Sequence, residues 1–170
     1  TIYVRDIKTN TFVTEEIKDT SGSIMFSLDD KFIFYSKLDE NHRPRKIFRH
    51  EIGKAVKDDI LIFEEKTKAF TVGIGLTSDE KYYLITSSDH NTTEKYYFHV
   101  DEKIPEPKLI KEREKGIIYS INSWNNNFYM HTNKDAEDFK ILVSKSIDSN
   151  NWEDFISAKD ETLIGSLVFL

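Results

Sequence analysis

The chain has 170 residues, of which 13% are aromatic, and it contains six glycines, three prolines and no cysteine. This composition excludes collagen-like and low-complexity proteins, and the lack of cysteine excludes a disulfide framework and a cysteine-based zinc site. The net charge of −6 is spread along the sequence. It leaves no basic stripe for the phosphate backbone of a nucleic acid, whereas the acidic balance mildly favours cationic ligands.

Neither the apolar runs nor the first residues direct the chain to a membrane. No apolar run approaches the roughly eighteen residues of a membrane span, and residues 1–6 lack the layout of a signal peptide. We therefore expect a cytoplasmic protein without a membrane partner. Because the sequence starts without Met and stops inside the apolar run at residues 166–170, we also expect it to be a piece of a longer protein.

The chain divides into units of four predicted strands. Residues 1–20 predict two strands, at 2–6 and 12–17, and we interpret them as the end of a unit that begins before residue 1. Complete units follow at residues 23–65, 71–111 and 117–157, and residues 162–170 open another. The strands of the complete units are predicted at residues 23–27, 31–38, 45–52 and 59–65, then at 72–76, 81–87, 95–101 and 107–111, then at 117–122, 127–132, 139–146 and 152–156.

The units repeat in sequence. Residues 23–34 are echoed by residues 73–84 and 119–130, each time as a short apolar strand, a polar turn and a second apolar strand. The units begin 45 to 48 residues apart, a period typical of β-propeller blades. The sequence predicts an all-β fold, a partial β-propeller with about three complete four-stranded antiparallel blades and incomplete blades at both ends. Its open blade faces predict marginal stability or self-association.

No catalytic, metal or cofactor site is predicted. The serine motif Gly-x-Ser-x-Gly of hydrolases is absent, and we interpret its nearest approaches, at residues 21–23 and 165–166, as turn and strand residues. No histidine pair has the spacing of a helical zinc site. His50 and His99 fall in the third strands of successive blades, where we expect structural roles.

One polar hairpin stands out, at residues 39–45 between the second and third strands of the first blade. In a propeller such a hairpin lies on the same face as the connectors between blades, here residues 19–22, 66–70 and 112–116, and as the loop at residues 133–138. A solvated loop is the simplest interpretation. The alternative is a contact with a ligand or another domain through Arg43 or Arg45, since the arginine fork suits carboxylates.

Several segments carry a specific resemblance. They are Asp19-Thr20-Ser21-Gly22-Ser23-Ile24, Leu38-Asp39-Glu40-Asn41-His42-Arg43-Pro44, Phe48-Arg49-His50, Ile62-Phe63-Glu64-Glu65-Lys66, and Thr132-Asn133 leading into Asp138-Phe139-Lys140. With these segments in order along the whole chain, the sequence resembles the propeller domain of the prolyl oligopeptidase family of serine peptidases, in its oligopeptidase B (protease II) branch.

The resemblance implies a larger hydrolase. In this family a seven-bladed propeller caps an α/β-hydrolase domain that carries the Ser, Asp and His triad, and the cap limits substrates to short peptides. The oligopeptidase B branch cleaves after Arg or Lys and reads the basic side chain within the hydrolase domain. The 170 residues contain no hydrolase domain, so no triad or specificity residue is assigned in this chain, and the chain alone is not expected to be an enzyme.

The resemblance assigns the chain a supporting role in a serine oligopeptidase. It implies size filtering and contact with the hydrolase domain of the same parent chain, with short basic peptides as ligands. We expect Asp39, Glu40, Arg43 and Arg45 to form the inter-domain or gating contact. Two alternatives stay open: a non-catalytic propeller-like binding module, and an inert remnant of a split peptidase gene.

Overall fold

A computed structural model gives the structure of the chain and describes residues 1–13, 15–159 and 161–169. Within these residues the chain forms strands and one 3-10 helix, Val56–Asp58, which confirms the all-β prediction. The strands are β1 (Arg5–Asp6), β2 (Thr11–Phe12), β3 (Thr20–Phe26), β4 (Phe32–Leu38), β5 (Pro44–Glu51), β6 (Ile60–Glu64), β7 (Thr71–Leu76), β8 (Tyr82–Ser88), β9 (Thr93–His99), β10 (Lys108–Lys111), β11 (Tyr119–Trp124), β12 (Asn127–Thr132), β13 (Lys140–Ser144) and β14 (Glu153–Ile156).

The strands pair in chain order. Strands β3 to β6, β7 to β10 and β11 to β14 form three four-stranded antiparallel sheets, which we call the first, second and third blades. Strands β1 and β2 form a separate hairpin, and the chain before and after it is joined by an isolated bridge between Ile2 and Ile17. Because β1 and β2 pair through only two residues each, they are shorter than the strands predicted at residues 2–6 and 12–17.

The strand predicted at residues 162–170 is not formed within residues 161–169. An extended segment becomes a strand only when a neighbouring strand satisfies its backbone groups, and here the pairing is limited to an isolated bridge between Lys159 and Thr162. The backbone N–H of Ile164 instead donates to the carbonyl of Asp138, in a loop of the third blade, at 2.9 Å. That this segment opens a further blade stays a prediction.

Apolar side chains hold the blades face to face. Tyr35 and Ile33 of the first blade pack with Ile2 and Ile17 of the N-terminal segment. The interface between the first and second blades is aromatic: the rings of Phe34, Tyr83 and Phe98 contact one another at centroid distances of 4.8 to 5.7 Å. The core between the second and third blades consists of Leu84, Ile110, Tyr119, Ile121, Phe128, Met130 and Ile147.

The first turn of a blade is built by a repeated hydroxyl and carboxylate pair. In the first blade the Ser27 hydroxyl donates to Asp29 at 2.7 Å and accepts from the backbone N–H of Phe32 at 2.9 Å. In the second blade the Thr77 hydroxyl donates to Asp79 at 2.9 Å. These contacts explain why the sequence repeats at this turn, because each side chain satisfies backbone or carboxylate groups that the turn leaves unpaired.

Each of these turns places a residue other than glycine in the left-handed region, Asp30 with φ 57° and Glu80 with φ 56°. Replacing Glu80 with Gly should raise the free energy of unfolding by about 0.5 kcal/mol, since relief of the Cβ strain exceeds the added flexibility of the unfolded chain. Asp30→Gly should gain less, because Asp tolerates this conformation better. Urea unfolding checks both values. Glu80→Ala is the control, since it keeps the Cβ and should gain nothing.

Candidate functional site

The hairpins and connectors at one end of the blades lie against each other, as the sequence predicted. The backbone N–H of Leu38 donates to Asp19 at 2.7 Å, which joins the first connector to the hairpin at residues 39–45. In the third blade the side chain of Asn133 donates to the carbonyl of Gly116 at 2.9 Å. We call this end the loop face, and it consists of residues 19–22, 39–45, 65–70, 89–92, 112–118 and 133–139.

The side chain of Asp39 stabilises the hairpin at residues 39–45 by hydrogen bonds to its backbone. Its carboxylate accepts the backbone N–H groups of Arg43 at 3.0 Å and Asn41 at 2.8 Å, and these hydrogen bonds hold the pKa of Asp39 below its usual value. His42 adopts the left-handed conformation that closes the turn, with φ 58°. Asp39 is therefore committed to the shape of the loop.

The two arginines of the hairpin hold the next connector. Arg45 is buried, and its guanidinium donates to the carbonyl of Phe70 at 2.9 Å and to the carbonyl of Thr67. Arg43 is exposed and donates to the carbonyl of Lys68 at 2.7 Å. Because these bonds reach across 22 to 25 residues of sequence, the hairpin and the connector form one unit.

The four predicted contact residues therefore have different surroundings. Glu40 and Arg43 are on the surface of the loop face, whereas Asp39 shapes the hairpin and Arg45 lies beneath the connector, with its Nε 4.0 Å from the carboxylate of Asp39. A direct contact with another domain fits Glu40 and Arg43. Arg45 can act on such a contact only through the connector that it holds.

Beside this unit lies an ionic network that the sequence analysis did not identify. Arg113 follows the outer strand of the second blade, and its Nη2 lies 2.7 Å from Glu65 and 2.5 Å from Glu94. The Ser87 hydroxyl donates to the same Glu65 oxygen at 2.5 Å, and the guanidinium lies over the ring of Phe70 at 4.1 Å. One arginine thus joins the ends of two blades and the connector between them.

The electrostatics of the network follow from its hydrogen bonds. Burial alone would raise the pKa of Glu65, but hydrogen bonds from Ser87, from the backbone of Thr67 and from Arg113 outweigh it and lower that pKa to about 2. The same balance of burial against the bonds from Arg113 leaves the pKa of Glu94 below its usual value. Both carboxylates are therefore ionised at neutral pH, and two buried negative charges lie around one guanidinium.

The spacing of the blades in the sequence indicates that Glu65 and Arg113 could form an ion pair. Glu65 and Arg113 are 48 residues apart, which is one blade period, and both follow an outer strand. Residues one period apart occupy equivalent places on neighbouring blades, so opposite charges at such positions are candidates for contact. The sequence does not reveal which way their side chains turn.

The histidines behave as structural residues. His50 is fully buried, with Nδ1 2.6 Å from the Asp59 carboxylate, which also accepts the Tyr35 hydroxyl at 2.7 Å. This confirms the structural role predicted for His50. His99 packs edge-on against Tyr82, with ring centroids 5.3 Å apart. In the part of the chain that the structure describes, no cluster of three or more His, Asp or Glu side chains could hold a metal ion.

The chain is similar to known proteins along nearly its whole length. Residues 1–169 match the family model "Prolyl oligopeptidase, N-terminal beta-propeller domain". Over 144 residues the chain is 32% identical to "Protease 2" from Moraxella lacunata, covering 84% of this chain and 21% of that protein. It is 23% identical to "Dipeptidyl aminopeptidase BI" from Pseudoxanthomonas mexicana over 169 residues, covering 96% of this chain and 23% of the relative.

Solved structures share the fold. Oligopeptidase B from Trypanosoma brucei, in its closed form with covalently bound antipain, matches 89% of this chain and 22% of its own, with a TM-score of 0.83 and 25% identity. Oligopeptidase B from Leishmania major matches 95% of this chain and 23% of its own, with a TM-score of 0.88 and 21% identity. These matches confirm the partial propeller.

The relatives are much longer than this chain of 170 residues. The chain spans between a fifth and a quarter of the length of the relatives and structures that it matches. No helix in the described residues is long and apolar enough to cross a membrane. By its sequence and its fold, the chain belongs to the prolyl oligopeptidase family, as part of that family's N-terminal β-propeller domain.

Proposed function

We propose that this chain is part of the propeller cap of a cytoplasmic serine oligopeptidase that hydrolyses short peptides after Arg or Lys. The identity with a protein named Protease 2 supports the peptidase assignment. The fold shared with oligopeptidase B structures supports the role of the chain as the cap rather than the catalytic part. The chain contributes size filtering and a contact with the hydrolase domain, and its net charge of −6 suits basic peptides.

The observation that carries the proposal is the rigid construction of the loop face. The hairpin at residues 39–45 and the connector at residues 65–70 are held to each other by hydrogen bonds from Arg43 and Arg45. Beside them is an open groove of about 660 Å³ with charged groups of both signs. Its lining residues are Asp39, Glu40, Asn41, Arg43, Arg45, Lys46, Glu64, Glu65, Lys66 and Lys68.

Such a face is suited to open and close against a second domain. Closure of a cap excludes water and large proteins from an active site, and it needs a contact surface that keeps its shape during the motion. Exposed charges favour a reversible contact, because ion pairs in water contribute about 1 kcal/mol or less each. The loop face combines a fixed backbone with the exposed charges of Glu40 and Arg43.

The activity is tested on the full-length protein that carries this chain. It should hydrolyse short peptides after Arg or Lys and should react with a fluorophosphonate probe for active-site serine. The reading frame beyond residue 170 should contain the Gly-x-Ser-x-Gly serine with Asp and His after it. A frame without these residues, together with no hydrolysis, would leave the binding module or the inert remnant instead.

The gating contact is tested by Arg43→Ala in the same protein. We expect kcat/KM for short Arg-containing peptides to fall roughly three- to tenfold, the effect of losing a surface contact of about 1 kcal/mol. The melting temperature should fall by no more than about 2 °C, because the exposed Arg43 contributes one hydrogen bond to the connector and Arg45 still holds it. Arg43→Lys should retain part of the activity. As a control, Arg5→Ala removes an exposed arginine in the β1–β2 hairpin and should leave kcat/KM unchanged. Unchanged kinetics for Arg43→Ala would contradict the gating role.

A further inference from the structure

A second cleft lies between the second and third blades, away from the groove of the hairpin at residues 39–45. It has a volume of about 390 Å³. One wall is the outer strand β10 of the second blade, and the other is formed by β12 and β13 of the third blade. Its floor is apolar and consists of Ile110, Tyr119, Met130 and Leu142, which belong to or pack against the core between the two blades.

Lysines converge on this cleft from both blades. Lys111 is contributed by β10, and Lys134 and Lys140 come from the third blade. Behind Lys111 lies Lys95, its direct partner on the adjacent strand β9. Lys95 is buried, with an exposure of 8%, and its ammonium donates to the Thr86 hydroxyl at 2.5 Å. Like charges placed opposite each other destabilise a sheet, so Lys95 and Lys111 lower the stability of the second blade unless a negative charge lies near them.

The carboxylates nearby do not balance these charges. Glu114 pairs with Lys134 at 2.5 Å, but in the described residues no ion pair joins Lys95, Lys111 or Lys140 to a carboxylate. The acidic groups that line the cleft, Glu112, Glu114 and Asp135, are all exposed at its rim. Water screens these exposed carboxylates more than it screens the half-buried Lys111 and Lys140, so the inner part of the cleft has an excess of positive charge.

The titration of the lysines agrees with this geometry. Burial lowers the pKa of Lys95 to about 8. Burial, and next the neighbouring ammonium of Lys134, hold the pKa of Lys111 below its usual value, and the Glu114 carboxylate offsets only part of this effect. Each of these ammonium groups would gain from a negative charge placed in the cleft.

We propose that this cleft binds the carboxylate of a small amphipathic ligand. The carboxylate would lie against Lys111 and Lys140, and the apolar part of the ligand would cover Ile110, Met130 and Leu142. Lys95 does not line the cleft, but it adds to the attraction from within the blade. The proposal does not depend on peptidase activity, since it rests on the walls of the cleft alone.

Two sources offer this chemistry, the C-terminus of an apolar peptide and a fatty acid of medium length. Both present a carboxylate next to an apolar body, and the cleft volume admits several methylene groups or two side chains. Octanoate and N-acetyl-Leu-Leu are therefore suitable probes for the two sources. Octanamide is the matched neutral compound, with the same body and no charge.

The test is calorimetric titration of the full-length protein that carries this chain. At least one of the two acids should bind saturably, and the tighter one identifies the source, while octanamide should bind more than tenfold more weakly. Lys111→Met should weaken binding by roughly tenfold, the loss of one desolvated ion pair, and Lys111→Arg should restore most of it. Lys115→Met, at an exposed lysine outside the cleft, should leave affinity unchanged.

Three results would overturn the proposal: no saturable binding of either acid, equal binding of octanoate and octanamide, or full affinity in Lys111→Met. Circular dichroism of each variant confirms that the fold is intact. If Lys111→Met does not fold, Lys140→Met tests the same carboxylate site from the opposite wall, because Lys140 lies in β13 and has no ion pair with a carboxylate in the described residues. Full affinity in that variant would equally remove the assigned site.

Discussion

Arg113→Met should lower the free energy of unfolding by about 3 kcal/mol, the lower end of the range for breaking a buried ion pair. The variant leaves Glu65 and Glu94 buried without their cation, at 5% and 6% exposure. The lower end applies because the Arg113 side chain is itself 27% exposed and water screens part of the interaction. Urea unfolding followed by the fluorescence of Trp124 and Trp152 measures the change.

The same network predicts how stability responds to acid. The folded-state pKa of Glu65 lies below its unfolded value of 4.5, so its contribution is complete above pH 4.5 and is lost as pH falls toward about 2. In Arg113→Met this carboxylate should take up its proton at higher pH than in the wild type, because it loses the hydrogen bond and the positive charge of the guanidinium. The difference in stability between the two proteins should therefore shrink as pH falls through this window.

A rescue separates charge from packing. Adding Glu65→Gln and Glu94→Gln to Arg113→Met removes both orphaned charges and should recover at least half of the lost stability, because neutral amides cost less to bury than carboxylates. Arg113→Lys should lie between wild type and Arg113→Met, since lysine keeps the charge without the fork. A loss below about 1 kcal/mol in Arg113→Met, or no recovery in the triple variant, would contradict a structural role for the network.

The strands were predictable because their signals are local. Residues 128–130 are an apolar and aromatic run that follows a turn rich in asparagine, and the structure places β12 at Asn127–Thr132 as predicted. The third strand of the same blade was predicted over residues 139–146 but forms at Lys140–Ser144. Phe139 has φ 67°, a left-handed conformation that delays the start of the strand to Lys140 and that an aromatic residue does not signal in the sequence.

Side-chain partners were predictable only in part, because they depend on how the blades stack. The hairpin at residues 39–45 was recognised from its polar residues, but the burial of Arg45 depends on the connector that lies over it. Lys95 lies in the strand predicted at residues 95–101, and nothing in that prediction concerns the burial of its side chain. Lys95 is buried, and its backbone N–H donates to the Tyr119 hydroxyl of the third blade at 2.9 Å. The pattern of residues 95–101 does not predict this contact between blades.

Lys95→Met should raise the free energy of unfolding at neutral pH by about 3 kcal/mol. Burial lowers the pKa of this lysine from 10.5 to about 8, and each pKa unit corresponds to about 1.4 kcal/mol of preference for the unfolded state. Methionine fills the space of the lysine stem and carries no charge to desolvate. Lys115→Met, at an exposed position, should change stability by less than about 0.5 kcal/mol.

The pH dependence identifies the cause of this gain. Between about pH 8 and 10.5 the unfolded chain holds the Lys95 proton while the folded chain has released it, so wild-type stability rises with pH through this window. Lys95→Met lacks this rise, and its advantage should be complete below pH 8 and should decline by pH 9.5. An advantage that is constant with pH would assign the gain to packing. An amphipathic carboxylate bound in the adjacent cleft should reduce the difference in free energy of unfolding between Lys95→Met and wild type. The ligand stabilises wild type more, because it interacts favourably with the charged lysine that the variant lacks.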